Sequence, residues 1–125
     1  MPTTVRENHW WFRRLKIHFH TLTALSILDS IVAMEFRRTS LERFHLYGTP
    51  PRYVPPDLRR IVRRKLIMIA RSTELNDLRI PPSNRLEQLK GNLEGYYSIR
   101  VNAQWRIIFR WNQKGAVDVD FIDYH

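Results

Sequence analysis

Three runs in the last third of the chain alternate apolar and polar residues, which is the pattern of strands with one buried face. Short Gly- and Asn-containing segments at 91–95, 102–103 and 112–115 separate or follow these runs, and each is short enough for a hairpin. The sequence therefore predicts an antiparallel meander of three to four strands. The apolar positions are Tyr97, Ile99 and Val101, then Trp105, Ile107, Phe109 and Trp111, then Val117, Val119 and Phe121.

Upstream of the meander the pattern predicts one strand and two helices. The strand spans Ile31–Phe36, and a short helix from about Ser40 to Tyr47 is closed by Gly48. Four prolines keep residues 48–56 extended, after which apolar residues recur at helical spacing from Asp57 to about Ser72. The predicted class is α+β, with the helices on one face of the sheet and the other face open.

The chain has 125 residues, 43% of them hydrophobic, and a net charge of +9 with no cysteine. This length suits one domain, and the charge favours a phosphate-bearing or acidic partner. Without cysteine there is no disulfide framework, no Cys-type zinc site and no thiol nucleophile.

Residues 1–33 fit the domain least well. They contain a basic, aromatic stretch and an apolar run that is too short to span a bilayer. A secretory signal or membrane-surface helix is one interpretation, and an extension from an over-long gene model is the simpler one. We expect the domain itself to span residues 34–125.

One face of the second predicted helix is rich in arginine. No acidic residue interrupts this set. A docking surface for protein or nucleic acid and an ordinary solvated face are therefore equally good interpretations. The set comprises Arg59, Arg60, Arg63, Arg64 and Arg71.

Four short motifs resemble the HigB-type toxins of the RelE/ParE superfamily of bacterial toxin–antitoxin systems. They are Leu89-Lys90-Gly91, Gly95-Tyr96-Tyr97-Ser98-Ile99, Trp105-Arg106-Ile107-Ile108-Phe109-Arg110 and the terminal Asp123-Tyr124-His125. A looser match at Phe36, Leu41 and Gly48 extends the resemblance over about residues 31–125.

This resemblance implies a ribonuclease that cuts messenger RNA in the decoding site of the 70S ribosome without a metal or other cofactor. In that reaction an RNA 2′-hydroxyl attacks the adjacent phosphorus, which requires a base, cations for the phosphate and an acid for the leaving oxygen. The resemblance also implies a cytoplasmic protein, not membrane-bound, held inactive by a HigA-type helix-turn-helix antitoxin in a complex that is oligomeric through the antitoxin.

The matched motifs supply the expected catalytic residues. Arg106 is the phosphate-binding cation, with a structural salt bridge to Asp118 or Asp120 as the alternative. Lys90 is a second phosphate contact or an ordinary turn lysine. His125 is the acid or base and Asp123 orients it, whereas Tyr124 stacks on a base, carries a proton or fills the core.

Glu87 departs from the family pattern, because some members have a histidine three positions before the lysine. We expect Glu87 to act as general base with His125 as acid, or else to neutralise the neighbouring Arg85. Further RNA- or ribosome-binding candidates are Arg85, Arg110, Arg100, Arg63 and Arg64.

Two other functions compete with the nuclease. A ParE-like protein would share the fold and inhibit gyrase by contact alone. A basic DNA-binding module would need a recognition helix with polar base-reading residues, which the pattern lacks. The terminal triplet favours the nuclease, because a non-catalytic inhibitor does not need proton-transfer groups.

Overall fold

Residues 87–123 form a four-stranded antiparallel sheet. A computed structural model describes residues 34–124, so residues 1–33 and His125 lie outside the description. The strands are β1 (Glu87–Gln88), β2 (Tyr97–Arg100), β3 (Trp105–Asn112) and β4 (Gly115–Asp123), and they pair in that order. The predicted meander is confirmed, with turns at the predicted Gly- and Asn-containing segments.

Two helices cover one face of this sheet. They are α1 (Thr39–Tyr47), which ends at Gly48, and α2 (Arg59–Arg71), which follows a 3-10 turn at Pro56–Leu58. The predicted helices are thus confirmed to within about two residues. Leu41, Leu66 and Ile69 pack with the buried side chains of the sheet, so the core lies between the helices and one sheet face. No helix in the range 34–124 is both long and apolar enough to cross a membrane.

The start of the domain differs from the prediction. Residues 31–33 lie outside the description, and Phe36 makes only an isolated parallel bridge with Val119. The backbone N–H groups of Glu35 and Arg37 donate to Ala116 and Val119 carbonyls at 3.1 and 2.9 Å. This segment therefore closes the outer edge of β4 without forming a regular strand.

A bulge in β4 also corrects the predicted alternation. The register shifts between Ile108 and Arg110, and Asp118 has a φ of 53°. Because one extra residue is inserted there, Val117 pairs with Arg110 while Val119 enters the core. The prediction that Val117 shares a face with Val119 and Phe121 is wrong.

Helix α1 contains two buried titratable side chains. Burial, followed by the nearby Arg63, lowers the pKa of His45 to about 4, whereas burial and Glu35 raise the pKa of Glu42 to about 7. The His45 ring lies 5.5 Å from that of Phe36, and its Nδ1 finds no hydrogen-bond partner among the described residues. His45 is therefore a neutral core side chain at pH 7.

We expect His45→Phe to remove an acid-sensitive contribution to stability. Between pH 6.5 and 4 the unfolded chain binds the His45 proton and the folded chain does not, so this contribution is present above 6.5 and is lost on acidification. Because phenylalanine does not titrate, the free energy of unfolding of His45→Phe relative to that of the wild type should rise by about 3 kcal/mol at most as the pH falls from 6.5 to 4. Denaturant titrations at several pH values measure it.

The opposing effect of Glu42 is common to both proteins and cancels in the difference. The control is Tyr47→Phe on the same helix, where the side chain is 61% exposed; its difference from the wild type should not change with pH. A constant difference for His45→Phe would contradict the assignment.

Candidate active site

The sheet face away from the helices presents the candidate site. Strand pairing places Ser98 opposite Ile108, and Arg106 opposite both Arg100 and Ile122. Directly paired residues project from the same face, so these side chains share a surface. A small apolar cluster supports it. This cluster contains Leu89, Tyr96 and Ile108, with Leu93, Ile122 and Tyr124 packed against it.

Arg106 is held in one orientation on this face. Its Nη1 lies 2.9 Å from Glu87 Oε1, donates to Ser98 Oγ at 2.8 Å and contacts the Arg85 carbonyl at 3.4 Å. Its guanidinium carbon lies 4.9 Å from the ring centroid of Tyr124. The side chain is only 11% exposed, so most of its conformational freedom is already lost.

These contacts correct two structural alternatives. Arg106 does not pair with Asp118 or Asp120, because Asp118 binds Arg110 and Asp120 binds Arg38 at 2.7 Å. Glu87 pairs with Arg106 rather than with Arg85. The two carboxylates that the sequence offered as alternative partners of Arg106 are thus engaged elsewhere, and Glu87 pairs with it instead.

Glu87 is well placed for proton transfer. It lies on the two-residue strand β1, opposite Ser98, and its side chain is 50% exposed. Because Ser98 and Arg106 share the open face, Glu87 projects from that face too. Its carboxylate therefore meets both solvent and the guanidinium.

Ser98 is a site residue that the sequence analysis missed. It is fully buried, and its hydroxyl is the nearest neutral partner of Arg106. Its position opposite Glu87 and Ile108 in the meander was the available signal. A fully buried polar side chain on the open face indicates a specific hydrogen bond.

Arg110 lies further along the same face. Its guanidinium carbon is 4.4 Å from the Tyr96 ring centroid, and its Nε is 3.4 Å from Asp118 Oδ2. Gly95 leaves room for it, since a Cβ there would lie 2.5 Å from Arg110 Nη1. Arg110 is exposed and more weakly held than Arg106.

At the end of β4, Asp123 and Tyr124 of the terminal triplet lie on opposite faces of the sheet. Tyr124 packs on the open-face cluster, and its N–H donates to the Gln104 carbonyl at 2.7 Å. Asp123 pairs with Trp105, which stacks on Phe121 in the helix-covered core, so Asp123 lies on the other face from Arg106. Its carboxylate accepts a 3.0 Å hydrogen bond from Gln104 Nε2. The predicted role of His125 falls outside the described residues.

Lys90 directly precedes the 3-10 turn Gly91–Leu93 and is exposed. The adjacent Leu89 N–H donates to the Tyr96 carbonyl at 2.8 Å, which fixes the backbone beside it. The ammonium group makes no ion pair with any residue in the range 34–124, so it is available to a phosphate.

The other basic candidates lie in two depressions beside α2. Arg63 donates to the His45 carbonyl and, with Arg64, lines a groove of about 410 Å³ between α1 and α2. Arg64, Arg85 and Arg100 line a second cleft where α2 meets the sheet edge. Arg63 thus belongs to the helical side of the domain, apart from Arg106. The described residues contain no cluster of three or more potential metal ligands.

Comparison with known proteins identifies relatives of this chain. The family model described as RelE-like toxin of type II toxin-antitoxin system HigB matches residues 34–125. Toxin HigB-1 of Vibrio cholerae is 40% identical over 94 residues, which cover 75% of this chain and 98% of the relative. Endoribonuclease HigB of Proteus vulgaris is 39% identical over 61 residues, covering 49% and 65%. A chain of the YoeB-YefM complex from Staphylococcus aureus matches with a TM-score of 0.48 and 22% identity, covering 74% and 94%.

The geometry around Arg110 predicts that Gly95→Ala is more damaging than Gly91→Ala. Both glycines have positive φ, +92° and +69°, but nothing lies within 4 Å of a Cβ at Gly91. We expect Gly91→Ala to cost about 1 kcal/mol from backbone strain. Gly95→Ala should cost about 1 kcal/mol more because it displaces Arg110 from the Tyr96 ring. Chemical denaturation measures both values.

The control is to repeat Gly95→Ala in an Arg110→Ala background, where the additional cost should disappear. An unchanged cost in that background would show that backbone conformation alone accounts for the difference.

Proposed function

This chain belongs to the family of HigB-type, RelE-like toxins of type II toxin–antitoxin systems, and we propose that it cleaves messenger RNA on the translating ribosome. The observation that best supports this is the fixed Arg106 guanidinium on an open sheet face, beside one carboxylate and one aromatic ring. Family membership favours the nuclease over the ParE-like gyrase inhibitor.

Arg106 stabilises the phosphate as negative charge develops on it. Its Nη1 is occupied by Glu87 and Ser98, whereas Nε and Nη2 make no hydrogen bond or ion pair with described residues. These two nitrogens form one edge of the planar fork, which matches two phosphate oxygens. Since the fork is held before substrate arrives, little reorganisation accompanies the transition state.

Proton transfer is assigned to Glu87 and His125. Glu87 takes the proton of the 2′-hydroxyl, the oxygen attacks phosphorus, and His125 protonates the departing 5′-oxygen, which leaves a 2′,3′-cyclic phosphate and a new 5′-hydroxyl end. The carboxylate already lies beside the phosphate-binding group, so base and cation meet the same nucleotide.

The remaining residues bind and orient. The Tyr124 ring offers a stacking surface for a base, and Lys90 provides a second cation for the phosphate. Asp123 is assigned only to orienting His125, because its carboxylate lies on the other face from Arg106.

The ribosome supplies what the open face lacks. Alignment of reacting groups is worth roughly 7–11 kcal/mol in well-oriented systems, and the exposed Glu87 and Lys90 do not enclose a substrate. We place the reaction in the cytoplasm, where translation occurs. We also propose a HigA-type helix-turn-helix antitoxin as partner and an oligomeric complex formed through it, which light scattering of the co-expressed complex would test.

We expect ribosome-bound messages to be cut far faster than the same RNA free in solution. Arg106→Ala should slow cleavage by roughly 10²–10³ without loss of ribosome binding, since the fork acts mainly in the transition state. Arg106→Lys should recover little, because a point charge does not reproduce the fork. Mapping of 5′ ends in a reconstituted translation reaction measures the rates.

Arg43 is an exposed arginine on α1. Arg43→Ala removes the same charge as Arg106→Ala, so it serves as the matched control and should cleave at the wild-type rate. Efficient cutting of free RNA would contradict ribosome dependence, and full activity of Arg106→Ala would refute the proposed site.

The assignment of base and acid predicts a bell-shaped pH–rate profile. Glu87→Gln should lose activity together with the acidic limb, and His125→Ala should lose activity together with the basic limb. Single-turnover cleavage on ribosomes across the pH range separates the two. Should Glu87→Gln retain the native rate and profile, Glu87 serves only to hold Arg106.

A further inference from the structure

A cleft beside α2 contains an unbalanced group of cations. It has a volume of about 630 Å³ and lies between α2 and the edge of the sheet. Its walls include Arg64 and Lys65 from the helix, Arg85 before β1 and Arg100 at the end of β2. No carboxylate lines this cleft. Four like charges without a counter-charge repel each other, which favours binding of an anion.

Lys65 is the most unusual of these residues. It is 4% exposed, and its ammonium group donates to Asn84 Oδ1, a neutral acceptor and its only hydrogen-bond partner within residues 34–124. Burial, followed by Arg64, lowers its pKa. Buried charges in proteins are normally paired with an opposite charge, and none of the described residues provides one.

Asn84 is built into this arrangement. Its side chain is fully buried, and its amide nitrogen donates to the Leu78 carbonyl at 3.0 Å. This bond fixes which end of the amide faces Lys65. The ammonium group is therefore held in place at the cleft wall with donors remaining for a further acceptor.

The cleft is continuous with the candidate active site. Arg85 lines the cleft, and its carbonyl contacts Arg106 Nη1 at 3.4 Å. Arg100 lines the cleft and is the cross-strand neighbour of Arg106. An RNA strand on the open face can therefore pass over the end of β2 into the cleft.

We propose that this cleft binds a second backbone phosphate of the RNA strand whose cleaved phosphate lies at Arg106. The inference rests on the proposed nuclease function. Guanidinium forks at Arg64, Arg85 and Arg100 suit phosphate oxygens, and the volume accommodates a nucleotide. Continuity with the Arg106 face favours RNA over the acidic side chains of a protein partner.

The experiment measures binding without cleavage. Labelled 2′-O-methyl RNA of two and of six nucleotides is titrated with the purified full chain, and fluorescence anisotropy is recorded at several salt concentrations. Arg64→Gln and Lys65→Met should each weaken hexanucleotide binding about 10-fold. The slope of log affinity against log salt should fall by about 0.7 for each lost contact. Dinucleotide binding should not change, because two nucleotides do not extend from Arg106 into the cleft.

Arg43→Gln controls for the loss of one positive charge outside the cleft. Equal hexanucleotide affinities for Arg43→Gln and Arg64→Gln would overturn the inference. So would displacement of the hexanucleotide by adenosine monophosphate at similar affinity, which would indicate a site for a free phosphate. Weaker binding of the antitoxin by Arg64→Gln, with RNA binding intact, would assign the cleft to an acidic protein and also overturn it.

Failure of the nuclease proposal is distinguishable from failure of this inference. A wild-type chain that binds the hexanucleotide through the cleft but leaves translated messages intact refutes only the nuclease. A chain that cuts those messages while its cleft variants bind RNA normally refutes only the cleft assignment.

Discussion

The pairing of β3 with β4 is the constraint on which the rest of this structure depends. Ile107, Phe109, Val119 and Phe121 are buried on one face, so a shift of register by one residue would move them to solvent. The same register fixes the opposite face. It places Arg106 opposite Ile122 and near Tyr124, so any change in this pairing would alter both the core and the candidate site.

The bulge in β4 shows why some positions could not be predicted. Alternation predicted the core roles of Val119 and Phe121, because hydrophobic burial imposes a period of two. It misplaced Val117, because a single extra residue at Asp118 changes the phase and leaves no clear mark in composition. The isolated bridge at Phe36 depends on that bulged segment and was equally hidden.

The candidate site was partly predictable for a similar reason. Arg106, Glu87 and Tyr124 were identified from motifs, and the structure brings them together on one face. Their partners depend on pairing between strands distant in sequence, so the alternative that paired Arg106 with Asp118 or Asp120 was wrong and Ser98 was missed. Lys65 was hidden too, because its burial depends on Asn84, 19 residues later in the chain.

Both outer edges of the described sheet present few unpaired backbone N–H and C=O groups. The edge strand β1 has two residues, and the segment around Phe36 occupies the outer side of β4. Long unpaired edges are templates on which identical chains add to one another and aggregate. A toxin released from its antitoxin meets other copies of itself, and a sheet with little edge to extend resists growing into fibrils by strand addition.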